Sequence, residues 1–452
     1  MLPDVALLRI FDFYIMDEDQ IEAWQTLVHV CREWRSVIFG SPRRLDLRLL
    51  CTASTSVREK LDVWPLLPIV VLARRGSADK IITALKHNDR ISRLHLSSIQ
   101  TSEWEKILEA MRQPFPALTN LYLQYGDEAM MVDPDSFLGG SAPSLRKLVL
   151  DSIPFPGLPK FLLSATHLVN LCLQSIPHSG YIPPGEMLTA LSTLTRLEYL
   201  RIEFESPSRP VQKSLLRLPL TRALFPVLTR LCFKGVDKYL EDLVARIDAP
   251  LLNYMRIIFF YQPTFDTPEL TQFISRTPKF KAQDRARVAF SDSDAWVTLP
   301  QTSGRVSLGT SGRQPDWQLW SLRQICSSYF PRALIFAVEH LYILKGLMLR
   351  VLQHDTFEWS RWLDFFYPFT AVKSLYISQE FAPCIAPALQ ELVGEGLMEV
   401  LPALQALFFE ETLPLGPVAE AIGKFVAARQ LAGHPIAVSR WEGIKNVLDD
   451  EF

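Results

Sequence analysis

Leu118-Thr119-Asn120-Leu121-Tyr122-Leu123, Leu145-Arg146-Lys147-Leu148-Val149-Leu150 and Leu168-Val169-Asn170-Leu171-Cys172-Leu173 share one pattern, Leu-x-x-Leu-x-Leu. Its last three positions alternate as in a strand with one buried face, because successive strand side chains point to opposite sides. With Ile, Phe or Met admitted, the pattern recurs at Ile91/Leu94/Leu96, Leu197/Leu200/Ile202, Leu228/Leu231/Phe233 and Leu252/Met255/Ile257. The middle residues are spaced by 27, 27, 23, 29, 31 and 24, a mean of about 27. Upstream, Leu45-Asp46-Leu47 and Ile69-Val70-Val71-Leu72 extend the series, with Leu47, Val70 and Leu94 spaced by 23 and 24.

The intervening segments have helical periodicity. Trp104, Ile107, Leu108 and Met111 fall on one face, as do Leu240, Leu243, Val244 and Ile247. Leu270, Phe273 and Ile274 do the same behind Pro268, which sits where a helix start tolerates proline. One strand and one helix per period of this length is the arrangement of leucine-rich repeats. It predicts an α/β solenoid over residues 43–440, with inner parallel strands and outer helices. A lone unit cannot bury its apolar face, whereas stacked units can. The pattern resumes at Val338/Leu341/Ile343, Val372/Leu375/Ile377 and Leu404/Leu407/Phe409. The longer spacings there leave room for helices around Trp359 and Trp362 and from Pro387 to Val393. Over about 280–335 the motif blurs into short strands at Val288–Phe290, Trp296–Leu299 and Val306–Leu308, then a helix from Trp317 to Tyr329. This predicts an irregular part of the solenoid. Gln124–Pro134 and Glu205–Lys213 read as polar insertions.

Residues 1–42 follow another rule. Leu7, Ile10, Phe11 and Tyr14 fit one helix opened by Pro3 and Asp4. After the break at Asp17-Glu18-Asp19, Trp24, Leu27, Val28, Cys31, Trp34 and Ile38 trace a second apolar face. So short a segment buries little by itself, which predicts packing against a partner or against the solenoid. Leu2-Pro3-Asp4, Leu7-Leu8-x-Ile10-Phe11, an acidic break and Val30-Cys31-Arg32-x-Trp34-Arg35 resemble an F-box. An F-box followed by repeats is similar to F-box/leucine-rich-repeat proteins. Ser41-Pro42-Arg43-Arg44-Leu45-Asp46-Leu47 and Phe137-Leu138-Gly139-Gly140-Ser141-Ala142-Pro143 resemble the F-box-like family of mushroom-forming fungi. The resemblance implies a substrate-recognition subunit of a Skp–cullin–F-box ubiquitin ligase, with ubiquitin transferred by other subunits. Carried over, the adaptor contacts fall on Leu2, Pro3, Leu7, Leu8, Ile10, Val30, Cys31 and Trp34. The segment from Ile15 to Ala23 is longer and less regular than that family's second turn. The alternative is a repeat scaffold whose N-terminal helices only cap the solenoid.

The chain's 452 residues exceed a single core of about 250–300 residues. With 48% apolar and 21% charged residues, the composition is that of a folded chain. A net charge of −2 gives no general electrostatic case for nucleic acid or anionic membrane. No apolar run approaches the ~20 residues a bilayer requires, and no secretory signal opens the sequence. The six cysteines are widely dispersed, with no close pair of metal-ligand type. Reduced thiols and a cytoplasmic or nuclear location are the expectation. No phosphate loop, dinucleotide fingerprint, His-Glu-x-x-His or nucleophile elbow occurs. The expectation is therefore a non-enzymatic protein with no catalytic residues, no metal and no cofactor. Cys172 and Cys232 point out of their strands in this reading, but no base adjoins either; Asp449-Asp450-Glu451 reads as a solvated tail, within a terminal segment 441–452.

Ligand contacts should come from residues flanking each central Leu: Arg93/His95, Asn120/Tyr122, Lys147/Val149 and Asn170/Cys172 in the first strands, and His340/Tyr342, Ser374/Tyr376 and Ala406/Phe408 in the last. Between them, Tyr199, Arg201, Arg230, Cys232, Lys234, Tyr254 and Arg256 concentrate Tyr and Arg, types enriched at interface hot spots. With Glu203 the only opposing charge among them, this stretch predicts a surface for an acidic or phosphorylated segment of a protein substrate.

Overall fold

The computed structural model describes residues 3–15, 23–40, 47–125, 132–133, 135–207, 222–260, 267–300, 304–312, 314–346, 359–392, 394–412 and 414–442. Sixteen of the strands, alternating with helices, form one long, mostly parallel sheet consistent with a leucine-rich-repeat-like α/β repeat. The chain divides into two compact units, Met1–Tyr199 and Leu200–Phe452.

The first unit begins with helices α1 (Asp4–Ile15), α2 (Ala23–Val30) and α3 (Arg32–Gly40). Strands β1 (Leu47–Leu50), β2 (Ile69–Arg74), β3 (Ile91–Ser97), β4 (Asn120–Gln124), β5 (Lys147–Asp151) and β6 (Asn170–Ile176) follow. Leu94 pairs with Leu121, Leu121 with Leu148 and Leu148 with Leu171, as the repeat predicts, and all four are buried. A recurring backbone clamp sets this register. The Thr119 carbonyl accepts the amides of Arg146 and Lys147 at 2.7 and 3.0 Å, and the Arg146 carbonyl accepts those of Val169 and Asn170 at 2.8 and 2.9 Å. Each carbonyl thereby uses both of its lone pairs on the next repeat.

The expected alignment of Leu47, Val70 and Leu94 is corrected. Val71 pairs with both Leu49 and Leu94, while Val70 faces Arg48 and Arg93. The register shifts between Ile69 and Val70, and Ile69, Val70 and Val71 are all buried, so alternation fails as a guide there.

The second unit contains β7 (Tyr199–Phe204) from Leu200 onward, β9 (Arg230–Gly235) and β11 (Tyr254–Phe260). A separate two-residue ladder joins β8 (Ala223–Leu224) to β10 (Ile247–Asp248). Further on come β12 (Arg285–Phe290), β13 (Asp294–Pro300), β14 (Arg305–Ser311), β15 (His340–Lys345), β16 (Ser374–Ile377), β17 (Ala406–Glu410) and β18 (Ala437–Trp441). Leu231 pairs with Met255, and Leu341, Leu375 and Leu407 form one row.

The irregular segment is an ordered insertion within the sheet. The strand order runs β11-β14-β13-β12-β15, with β13 antiparallel to both neighbours. Tight turns can join only antiparallel strands, because a parallel return needs a long crossover. Ala295, Val297 and Leu299 turn to the core while Asp294, Trp296 and Thr298 stay half-buried. The crossover helix Pro268–Arg276 buries Leu270, Phe273 and Ile274. It is capped by Glu241 of the preceding helix, which accepts the amides of Glu269 and Leu270 at 2.9 and 2.8 Å. The helix expected over Trp317–Tyr329 is an α-helix over Pro315–Gln324 continued by a π turn over Ile325–Tyr329. A helix at Trp359–Phe366 agrees with the spacing, but the next spans Ala382–Gln390 rather than Pro387–Val393. Pro387 lies inside it because Ile385, Ala386 and Leu389 share the burial. The predicted insertions at Gln124–Pro134 and Glu205–Lys213 fall largely outside the described residues, as does the tail after residue 442.

Helices supply the other half of the core. Phe233 of β9 stacks on Tyr239 of the following helix with ring centroids 5.8 Å apart, and Phe290 of β12 meets Trp362 edge-on at 5.7 Å.

Candidate functional site

In the N-terminal module, the single long apolar face expected from Trp24 to Ile38 is broken in two. α2 ends at Val30 and α3 begins at Arg32, with Cys31 exposed at the joint. Its sulfur accepts the Trp34 amide at 3.4 Å, and the Arg35 Nε donates to the Val28 carbonyl at 2.9 Å. These bonds close the corner between the two helices. Leu7, Phe11, Leu27, Val28 and Ile38 are buried, and the Phe11 and Trp34 rings lie 4.8 Å apart. Ile10 does not share the Leu7–Phe11 face: it is 48% exposed, and Val5 is 69% exposed. Val30 is 56% exposed and Phe39 44%.

The expected adaptor contacts therefore separate into two groups. Pro3, Ile10, Val30 and Cys31 are exposed; Leu8 and Trp34 are half-buried and Leu7 is interior. Leu2 lies outside the described residues. Val5 and Phe39 were missed by the sequence reading, since periodicity assigns apolar residues to cores and cannot tell a surplus one.

On the second unit's sheet, Arg230 pairs in register with Tyr254 and Cys232 with Arg256. The Arg230 guanidinium lies 4.7 Å from the centre of the Tyr254 ring, and that of Arg256 lies 5.4 Å from the Trp296 ring. Burial, followed by the neighbouring Cys232, raises the Tyr254 hydroxyl above the usual tyrosine range, so it stays protonated. Arg201 pairs with Glu203 at 2.9 Å and Lys234 with Asp294 at 3.4 Å. Cys232, expected to contact ligand, is only 6% exposed between these larger neighbours; Cys172 in the first unit is buried equally. Tyr199 belongs to the first unit, half-buried, its amide on the Val169 carbonyl at 3.1 Å.

The insertion joins what the sequence showed as separate pairs. Register carries one row through Arg256, Ser307, Thr298, Arg287, Tyr342, Tyr376 and Phe408. Tyr342 stacks on Tyr376 at 4.2 Å and 11°, and Tyr376 on Phe408 at 4.5 Å and 7°. Trp441 of β18 packs edge-on against Tyr342 and Tyr376 at 5.9 and 5.5 Å. The face therefore combines guanidinium groups with stacked rings. Trp296 and Asp294 escaped the sequence reading because only the antiparallel return brings them beside Arg256 and Lys234.

Among the described residues, no group of three or more His, Cys, Asp or Glu is placed to hold a metal ion, and no helix is long and apolar enough to cross a membrane. No model of a known protein family matches the chain, and a comparison with curated proteins gives no match.

Proposed function

We propose that the chain is the substrate-recognition subunit of a Skp–cullin–F-box ubiquitin ligase. In this reading the helical module docks a Skp-type adaptor, and through it a cullin, while the sheet face of the repeats holds a protein substrate. The observation that carries it is the distribution of apolar residues in α1–α3. The module fills its own small interior with Leu7, Phe11, Leu27, Val28 and Ile38 and still leaves Val5, Ile10, Val30 and Phe39 in solvent. Four exposed large apolar side chains in so small a module support docking, since apolar surface gathered into a patch marks an interaction site. On the repeats, the combination of Arg and aromatic side chains suits a protein partner.

The test is co-purification of the full chain with a Skp-type adaptor, comparing wild type with Ile10→Asp/Val30→Asp. Both substituted residues are about half exposed, so circular dichroism should match wild type. Adaptor retained by wild type and lost by the folded variant supports docking; a folded wild type that ignores the adaptor refutes it. One observation favours the capping alternative, namely that the helices and first repeats form one compact unit.

A further inference from the structure

The first unit carries a cleft of about 560 Å³ lined by Arg74, Arg75, His95, Ser97, Ser98, Tyr122 and Gln124. Its construction is local. Arg74 ends β2 and pairs with Ser97 at the end of β3. Successive strand residues point to opposite faces, which would separate Arg74 from Arg75. Arg75 instead turns into the left-handed region at φ 54°, its amide on the Ser97 carbonyl at 3.2 Å, and both arginines line the same cleft. Gly76 makes the turn possible, since a Cβ there would sit 2.4 Å from the Cys51 carbonyl oxygen.

The same left-handed geometry recurs just after β3 and β5, at Ser98 and Ser152, and near the end of β6, at Ser175. The fold is thus satisfied by serine at this turn, and nothing in the backbone calls for a long cation at position 75. Neither Arg74 nor Arg75 has a carboxylate or side-chain hydrogen-bond partner among the described residues, and no acidic residue lines the cleft. One wall is the His95 ring stacked on Tyr122 at 4.1 Å and 21°. Asp151, on the strand beside Gln124, is engaged by the Gln124 amide at 3.0 Å and the Ser152 hydroxyl at 3.2 Å.

We propose that this cleft binds a phosphomonoester dianion, free or carried on a protein side chain, clamped by Arg74 and Arg75 with the Ser97 and Ser98 hydroxyls beside them. Arg74, Arg75, Ser97 and Ser98 all line this one cleft, giving it two guanidinium-bearing and two hydroxyl-bearing residues. A carboxylate offers two oxygens and one charge, and would leave a guanidinium unanswered. A phosphoryl group offers three terminal oxygens and up to two charges, matching the donors in number and sign. The volume exceeds that of a bare phosphate and lies within the range of small-ligand sites. The proposal rests on residues of the first unit alone and does not depend on the function proposed above.

The experiment is calorimetric titration of the full chain with inorganic phosphate, with a phosphoserine hexapeptide and with its unphosphorylated form. The key variant is Arg74→Gln/Arg75→Asn, in which Asn preserves the left-handed turn; Arg74→Gln alone leaves that turn untouched. Each charge-assisted contact is worth roughly a tenfold change in affinity. The double variant is therefore expected to bind about a hundredfold more weakly and the single variant about tenfold. Phosphopeptide tighter than inorganic phosphate assigns a protein-borne group; equal binding of the two assigns a free one. Arg201→Ala/Arg230→Ala/Arg256→Ala should bind phosphate as wild type does. The proposal is overturned if wild type binds neither phosphorylated probe, if the double variant binds undiminished, or if the triple variant is the one that loses binding.

Discussion

Arg429→Met is expected to loosen the end of the second unit. Arg429 lies in the helix Pro417–Leu431 and is fully buried. Its guanidinium is held by carbonyls: Nη1 donates to Leu397 at 3.2 Å, and Nη2 to Leu401, Pro402 and Leu404 at 3.4, 3.2 and 3.1 Å. The Met398 sulfur lies 2.9 Å from Nη1. Burial lowers the arginine pKa, the expected sign for a cation taken out of water. Two effects oppose each other in the variant. Methionine removes the desolvation cost of the cation, several kcal/mol for a buried ion. It also strips the carbonyls; Leu401 keeps the Leu404 amide at 3.1 Å, but Leu397, Pro402 and Leu404 lose their guanidinium donor at roughly 1–3 kcal/mol each. Three carbonyls at about 2 kcal/mol each outweigh roughly 3 kcal/mol recovered from the cation, so the second effect wins by about 3 kcal/mol. A repeat array opens locally, so the readout is amide hydrogen exchange in β17 and β18, where protection should fall by about a hundredfold. Unchanged or greater protection would mean that the buried cation is a net cost, and the reasoning would fail.

Gly309→Ala should destabilise the inserted strands by roughly 1–3 kcal/mol, because its Cβ would lie 2.6 Å from the Ala295 carbonyl oxygen and 2.7 Å from the Trp296 Cβ. Hydrogen exchange over β12–β14 measures this, and unaltered protection contradicts it. His95 has a lowered pKa, from burial first and then from Arg74 and Lys147. A histidine that binds protons more weakly folded than unfolded makes stability fall as pH drops through its ordinary value of about 6.5. An NMR titration should place the wild-type His95 midpoint below that value. Arg74→Gln should raise it part of the way; no movement would remove the charge from the explanation.

The repeat was legible wherever side-chain alternation and backbone register coincide. Leu94, Leu121, Leu148 and Leu171 form a row because each is both the middle of its motif and the residue clamped to the next strand. At β2 the coincidence fails, since a run of buried β-branched residues carries no parity from which to choose Val70 or Val71. Ile10 shows the converse: helical spacing placed it on the buried face, yet the short module had room only for Leu7 and Phe11. The Arg74–Arg75 cleft was hidden because it depends on a positive φ at Arg75, and in sequence a left-handed arginine looks like any other.

Charge compensation distinguishes the two faces chemically. Counting cations from the sequence made the Tyr199–Arg256 stretch the natural place for an acidic partner. Among the strand cations singled out there, Arg201 is answered by Glu203 and Lys234 by Asp294, the latter delivered by the insertion. Arg230 and Arg256 lie over Tyr254 and Trp296, an arrangement that keeps their charge but spends part of it on ring quadrupoles. A purely acidic segment would have to compete with these internal partners. A segment offering apolar or aromatic groups as well could also use the stacked Tyr342, Tyr376 and Phe408 row. In the first unit, Arg74 and Arg75 face no such competition. Total basicity is therefore a poor guide to where an anion binds in this chain, because binding strength follows the cations that folding leaves unanswered.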